Sequence, residues 1–290
     1  MKTTLYTVIA LVAFAANSLL CRMALAGGYI DAWNFTVLRL LSAAVCLAGM
    51  VLIYDAKVKH NAADTALYSN ETGSWRSGIS LLVYALCFSV AYLELDTGSG
   101  ALILFSAVQL TMIGWGIYNK ERLSTVQWIA FVVAFAGFVY LILPSATMPS
   151  LFGAALMAIS GIAWGIYSIR GTACVSPLRT TTFNFIRSLV ALPVLLLIGV
   201  SHINSVSLIG LLLACVSGAL ASGVGYSVWY LAMPRLKSTQ AAIVQLSVPV
   251  LAAIAGVVVL AEPISLDFLV ASTVILGAVL VFILSKKRNA

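Results

Sequence analysis

The sequence predicts an all-α integral membrane protein whose ten transmembrane helices form two inverted five-helix repeats. Three observations predict this fold: a composition poor in charge, ten separate apolar runs, and positive charge confined to alternate connections. Hydrophobic residues make up 62% of the 290 residues and charged residues only 9%, whereas a soluble domain has about 25% charged residues. The chain is therefore predicted to lie in a lipid bilayer, and the bilayer is one of its expected partners.

The ten apolar runs predict ten membrane-spanning helices, because a helix needs about 20 apolar residues to cross a bilayer. They are Leu5 to Ala26, Ala32 to Tyr54, Gly78 to Leu93, Gly98 to Tyr118, Val126 to Leu143, Leu151 to Ile169, Thr181 to Val200, Leu208 to Leu231, Thr239 to Leu260 and Phe268 to Leu284. The runs are continuously apolar, which favours helices over barrel strands. The longest connection, Asp55 to Ser77, is too short for a separate domain, so function is expected among the helices.

Lysine and arginine collect on alternate connections, which orients the chain. They are Lys2, Lys57, Lys59, Arg76, Lys120, Arg122, Arg170, Arg179, Arg235, Lys237, Lys286, Lys287 and Arg288. The opposite connections carry Asp31, Glu94, Asp96, Glu262 and Asp267. Because cytoplasmic loops are enriched in Lys and Arg, we expect a multi-pass protein of the plasma membrane, the bacterial inner membrane, with both termini cytoplasmic. Topology and anionic lipid account for the net charge of +7, so no nucleic-acid partner is expected.

An internal repeat relates residues 1–145 to residues 146–290, and five helices per half make the second copy inverted. Residues 34–39 align without gaps with residues 182–187. This alignment matches Arg39 with Arg187 and, in the same register, Arg22 with Arg170. A second gapless alignment matches Glu121 with Glu262.

The motifs of the repeat resemble those of a known family. Residues 119–124 with Ala136-Gly137, and residues 261–265 with residues 276–278, resemble the glutamate-containing exit of the fourth helix and the glycine of the fifth in EamA-type members of the drug/metabolite transporter superfamily. Arg39 and Arg187 match the arginine that this family carries in the second helix of each half. The resemblance covers essentially the whole chain and implies ten helices, a central cavity and export of metabolites such as amino acids. Pro249, which stands opposite Val108, departs from the repeat, so the halves are expected to bend differently.

Neutral polar groups and aromatic rings dominate the predicted core. No Asp or Glu lies in the middle of a predicted helix, whereas the related small multidrug resistance transporters rely on a glutamate in their first helix. A cavity of this kind suits a neutral or zwitterionic amphiphile, for example an aromatic or branched amino acid. Its predicted residues are Asn17, Phe88, Tyr92, Ser106, Gln109, Trp164, Tyr167, Tyr226, Trp229, Tyr230, Gln245 and Ser247. The alternative for each ring is lipid contact or an interfacial belt, while an amide in hydrocarbon should face the interior.

Apart from Arg22 at the end of the first helix, two arginines lie inside predicted helices, and each has two interpretations. Arg39 and Arg187 either reach the nearer membrane interface and helix termini, or form ion pairs that hold the two gates closed. The inverted arrangement suggests the pairs Arg39 with Glu262 and Arg187 with Glu121. Gly161/Gly165 and Gly218/Ser222 have the four-residue spacing that lets helices approach closely.

The sequence therefore predicts a secondary transporter, with a small-molecule metabolite as its partner and alternating access through a central cavity. No phosphate-loop motif is present, and no cofactor, metal or catalytic residue is expected. A monomer would suffice because the duplication supplies both halves. The alternatives are a multidrug efflux transporter, a membrane-embedded lipid-modifying enzyme, which would need a catalytic cluster at a membrane face, and a scaffold without transport.

Overall fold

The computed structural model describes residues 2–58, 72–118, 123–142, 150–171, 174, 176–202, 206–232, 244–245 and 247–285. These residues are mostly helical and contain no strand, which confirms the predicted all-α class. The helices are α1 (Lys2–Ala26), α2 (Ala32–Val58), α3 (Trp75–Ala91), α4 (Thr97–Tyr118), α5 (Thr125–Ile142), α6 (Leu151–Gly171), α7 (Pro177–Val200), α8 (Leu208–Ala232), α9 (Ser247–Leu260) and α10 (Leu266–Ser285).

Length and composition divide these helices into two groups. Within the described ranges, six helices are long and apolar enough to cross a membrane, namely α1, α2, α4, α6, α7 and α8. Shorter apolar helices occur in α3, α5, α9 and α10. The helix positions agree with the apolar runs to within a few residues except at the start of α9, where the predicted Thr239 lies outside the described residues. The total of ten crossings remains a prediction.

Local sequence explains where several helices begin. Ser74 caps α3, because its hydroxyl accepts a hydrogen bond from the backbone N–H of Ser77 at 3.1 Å, and Ser207 caps α8 in the same way through Gly210. Such side chains satisfy N–H groups that have no partner within the helix. Pro177 opens α7 four residues before the predicted start, since proline is well tolerated in a first turn.

Each pair of packed helices named here has an equivalent pair, obtained when each helix is replaced by its counterpart in the other half of the chain. The α3–α6 contact has its counterpart in α1–α8, and α4–α6 has its counterpart in α1–α9. The pairs α2–α7, α4–α9 and α5–α10 each join equivalent helices. This pairing is what an internal repeat would produce. The inverted relation of the halves remains a prediction, and the predicted boundary at residue 145 lies outside the described residues.

Where connections are described, contacts join alternate ones at the same end of the bundle. At one end, which we call the Glu262 end, Ser207 donates to the carbonyl of Tyr29, and Asn34 donates to the carbonyl of Gly199 at 2.9 Å. At the other, the Arg170 end, Arg179 pairs with Asp55 at 2.7 Å. This is the grouping that the charge pattern predicts.

Small residues bring helix backbones together, as the four-residue spacing predicts. A Cβ atom on Gly161 would collide with the carbonyl oxygen of Leu104 in α4, and one on Gly218 would collide with the carbonyl oxygen of Arg39 in α2. These contacts place α6 on α4 and α8 on α2. The interior between them holds the polar and aromatic groups described next.

Candidate functional site

A buried arginine forms the centre of a polar cluster, which we define as Arg39, Tyr84, Tyr226, Ser222 and Asn17. Arg39 in α2 is 1% exposed. Its Nε donates to the Ser222 hydroxyl at 3.1 Å, and its Nη2 donates to the hydroxyls of Tyr84 at 3.1 Å and Tyr226 at 3.0 Å. The guanidinium therefore links α2 to α3 and α8 through neutral oxygen atoms.

Asn17 of α1 completes the polar cluster. Its Nδ2 donates to the Tyr84 hydroxyl at 3.2 Å, and its Oδ1 accepts from the hydroxyls of Ser217 at 2.7 Å and Ser222 at 3.4 Å. The Tyr226 hydroxyl donates to that of Tyr84 at 2.9 Å. The amide is thus satisfied in the interior, as its cost in hydrocarbon requires.

The backbone of α8 makes the double contact with Asn17 possible. Residues Ser217–Val224 form a π-helix, in which hydrogen bonds join residues five apart. Ser217 and Ser222 are five residues apart and would diverge on an α-helix, but the wider turn brings both hydroxyls to one face. Apolar periodicity gives no sign of this irregular turn.

The guanidinium also lies against two aromatic rings. The Arg39 Cζ is 5.1 Å from the ring centroid of Tyr84 and 4.7 Å from that of Phe88, a range in which a cation is attracted to a ring. Among the buried side chains of the described residues, Arg39 is the one charged group. Its Nη1 is buried without a hydrogen-bond partner.

Beside the polar cluster is a small cavity of about 10 Å³, which we call the aromatic chamber. It is lined by Phe14, Ser18, Tyr84, Phe88, Leu104, Phe105, Trp164 and Tyr226. The ring of Trp164 lies 4.5 Å from that of Tyr226, 5.0 Å from that of Tyr84 and 5.6 Å from that of Phe14 between centroids. The chamber has room for about one water molecule, so this conformation is closed around it.

Further rings connect the aromatic chamber to the Arg170 end. Trp164 stacks on Tyr167 at 5.4 Å, and Tyr167 stacks on Tyr230 at 5.5 Å. The Tyr230 hydroxyl donates to the carbonyl of Tyr167 at 3.1 Å. These contacts hold α6 and α8 together between the chamber and that end.

An ion-pair network closes the Glu262 end. Arg22, in the last turns of α1, pairs with Glu262 and Asp96 at 3.3 Å each. It also donates to the carbonyls of Tyr92 at 3.0 Å and Leu93 at 3.3 Å. One guanidinium therefore holds together α1, the α3–α4 connection and the α9–α10 connection.

Glu262 is held from a second side by the start of α4. Its carboxylate accepts from the backbone N–H of Thr97 at 2.9 Å and from the Thr97 hydroxyl at 3.1 Å, a favourable position for a negative charge at a helix N-terminus. Glu262 also lies in the walls of two surface cavities, of about 390 and 470 Å³. Its side chain thus stands where several helices meet.

Hydrogen bonds also join described helices at the Arg170 end. Arg170 of α6 donates to the hydroxyls of Ser77 at 3.1 Å and Ser74 at 3.2 Å at the start of α3. Arg187 of α7 donates to the carbonyl of Thr72 and lies 5.8 Å from the ring of Trp75. Side-chain contacts between described residues therefore join helices at both ends of the bundle.

The predicted cavity residues lie in the interior, apart from Ser247. The buried ones are Asn17, Phe88, Tyr92, Ser106, Gln109, Trp164, Tyr167, Tyr226, Trp229, Tyr230 and Gln245. Phe88, Trp164 and Tyr226 line the aromatic chamber, and the ring of Trp229 lies against that of Phe14, which also lines it. Tyr92 extends towards the Glu262 end, where its carbonyl accepts from Arg22.

Three predictions about individual side chains need correction or lie outside the structure. Ser247 is exposed and donates to the carbonyl of Val244, because the register of α9 turns Val248 inward instead. Arg39 neither reaches an interface nor pairs with Glu262, which pairs with Arg22. Glu121 lies outside the described residues, so its pairing with Arg187 remains a prediction.

Sequence reasoning missed three contributors, although two of them carry a signal. Tyr84 precedes Phe88 and Tyr92 at four-residue steps, which places all three on one face of a helix. Phe14 lies three residues before Asn17 and thus on nearly the same face. Arg22 aligns with Arg170, but nothing in the sequence says which acidic residue it meets.

The ion pairs of Arg22 should control access from the Glu262 end. Arg22→Gln or Glu262→Gln removes a partly buried pair worth about 1 kcal/mol, so we expect about fivefold faster maleimide labelling of buried Cys21 in a chain whose other four cysteines are replaced. Arg179→Gln, which breaks the Arg179–Asp55 pair at the other end, is the matched control. If Arg179→Gln accelerates the labelling of Cys21 as much as the other two variants do, the ion pairs of Arg22 do not control access.

Comparison with known proteins gives consistent matches. Residues 151–284 match the family described as the EamA-like transporter family. The chain is 45% identical over 278 residues to an uncharacterized protein of Pseudomonas aeruginosa, covering 96% of this chain and 93% of that protein. It is 24% identical over 210 residues to an uncharacterized transporter of Archaeoglobus fulgidus, covering 71% and 74%. A protein of known crystal structure shares the fold with a TM-score of 0.64 at 17% identity, covering 98% of both chains.

Proposed function

This chain belongs to the EamA-like transporter family, and on that premise we propose that it exports a small amphiphilic metabolite, such as an aromatic or branched amino acid, by alternating access. Family membership and the apolar helices identify a multi-pass membrane transporter. The substrate class, the direction and the mechanism are the proposal.

The observation that carries the proposal is the aromatic chamber between the two halves. Its rings come from α1, α3, α4, α6 and α8, so helices of both halves surround one central position. Rings bind apolar side chains, and the neighbouring hydroxyls offer a few directed hydrogen bonds. This combination suits an amphiphile better than a sugar or an inorganic ion.

Alternating access requires that one end opens while the other stays closed. Opening the Glu262 end separates Arg22 from Glu262 and Asp96, and opening the Arg170 end separates Arg170 from Ser74 and Ser77. We propose that the Glu262 end faces the outside and that both termini are cytoplasmic, because the sequence predicts the lysine-rich and arginine-rich connections on the same side as Arg170 and such connections are typically cytoplasmic. Substrate leaving through the Glu262 end is then exported.

Transport of labelled amino acids and small metabolites into and out of proteoliposomes tests this proposal. We expect exchange of aromatic or branched amino acids above that of empty liposomes. Trp164→Phe removes part of a buried wall of the chamber and should raise KM by about 3–10-fold. The matched control is Trp128→Phe, because Trp128 is 46% exposed. Absence of movement for every solute under every imposed gradient would refute the transporter function proposed here.

A further inference from the structure

We infer that Arg39 binds the carboxylate of the transported metabolite, an inference that rests on the proposed function and names the chemical class of its substrate. The proposed ligand is a carboxylate joined to an apolar or aromatic side chain. The inference depends on the burial, the hydrogen bonds and the position of Arg39, each treated below.

The first observation is the uncompensated charge. Arg39 is 1% exposed, and no Asp or Glu is among the buried side chains of the described ranges. A buried cation normally has an anionic partner, since burial without one is costly. The neutral hydroxyls of Tyr84, Tyr226 and Ser222 satisfy some of its N–H groups but do not neutralise the guanidinium.

The second observation is the unused donor. Nε and Nη2 of Arg39 donate to hydroxyls, whereas Nη1 is buried without a partner. A guanidinium holds a carboxylate best through two parallel N–H groups. Nη1 and Nη2 can bind a carboxylate in this way once the Tyr84 and Tyr226 hydroxyls move away from Nη2. Both hydroxyls can then donate hydrogen bonds to the carboxylate themselves.

The third observation is the position of Arg39 beside the aromatic chamber. Tyr84, Phe88 and Tyr226 line the chamber, and each of them also touches the Arg39 guanidinium. They form the wall between the cation and the cavity. A shift of the Tyr84 or Phe88 ring would expose the charge to a ligand in the chamber.

These observations together specify the ligand. The carboxylate lies on Arg39, and the apolar part lies among the rings of Phe14, Trp164 and Phe105. An amino acid with an aromatic or branched side chain fits both requirements, while its carboxamide lacks the carboxylate and, when its amino group is protonated, is a net cation. A lipophilic cation would place positive charge beside Arg39 and is disfavoured.

The test compares an acid with its amide in the same proteoliposomes. The probes are labelled L-phenylalanine and L-phenylalaninamide, and the same pair for leucine, with wild type, Arg39→Lys, Arg39→Gln and the control Arg76→Gln, whose side chain is exposed. We expect wild type and Arg76→Gln to prefer the acid by about tenfold or more. Arg39→Lys should keep part of this preference, and Arg39→Gln should lose it.

Each other outcome has a distinct meaning. Equal transport of acid and amide by wild type overturns the carboxylate site without requiring any variant, and leaves the transporter function intact. An acid preference that persists in Arg39→Gln also overturns it. If neither probe nor any other metabolite moves, the proposed function itself is wrong, and this inference is wrong with it.

Discussion

Replacing Arg39 with methionine should reduce amino acid transport at least about tenfold while leaving the protein about as stable as wild type. An arginine inside a membrane-spanning helix costs up to about 3 kcal/mol on insertion scales. Three hydrogen bonds at about 0.6 kcal/mol each and a cation–π contact of about 1 kcal/mol offset nearly all of this cost. The methionine side chain would remove both the cost and the contacts, and it would still pack against Tyr84 and Phe88.

Thermal unfolding in detergent and transport in proteoliposomes measure the two effects. We expect a change in Tm within about 4 °C, since the net change in the free energy of unfolding is about 1 kcal/mol or less. Arg76→Met, at an exposed arginine, should change neither quantity. A large fall in Tm for Arg39→Met would show that Arg39 holds the fold together, and its loss of transport would then say nothing about a ligand.

Replacing Gly218 with valine should destabilise the protein severely. A Cβ atom there would collide with the Ser42 hydroxyl and the carbonyl oxygen of Arg39, and would lie 2.8 Å from the Arg39 Cα. Two of these atoms are backbone, so a change of rotamer cannot relieve the collision. Overpacking of this kind costs about 3 kcal/mol, which lowers Tm by roughly 6–12 °C.

Gly277→Val is the matched control for Gly218→Val. Gly277 lies in α10, is exposed, and has no atom within 4 Å of a Cβ built on it. We expect its Tm to stay close to that of wild type and its elution on gel filtration to be unchanged. Similar Tm values for both variants would contradict the close approach of α8 and α2.

The helix positions follow from the sequence because they depend on local properties. The apolar runs locate the described helices to within a few residues, apart from the start of α9, and serines that can cap a helix, such as Ser74 and Ser207, are visible in the chain. The inward faces of the helices can also be predicted in part, since Tyr84, Phe88 and Tyr92 repeat every four residues. The amide Asn17 can be placed inside because hydrocarbon leaves it no other partner.

The pairing of side chains from helices far apart in the chain cannot be predicted from the sequence in the same way. Glu262 binds Arg22 and not Arg39, the partner that the inverted repeat suggests, because the choice depends on how far each arginine lies from the end of the bundle and where it points. Ser247 is exposed and Val248 is buried, because the contacts of α9 with α1 and α4 set the rotation of this helix about its axis. The π-helix of α8, which gives Asn17 two serine partners, follows from no pattern in the sequence.

By itself, the sequence determined that this protein is helical, that it belongs in a membrane and that its interior is aromatic and poor in carboxylates, since composition and apolar period set these properties. Only the tertiary structure decided that Arg39 is buried among neutral hydroxyls beside a closed aromatic chamber, and that Arg22 closes the Glu262 end. Those arrangements require helices far apart in the chain to meet at a particular rotation and depth. Neither quantity is encoded in the pattern of a single helix.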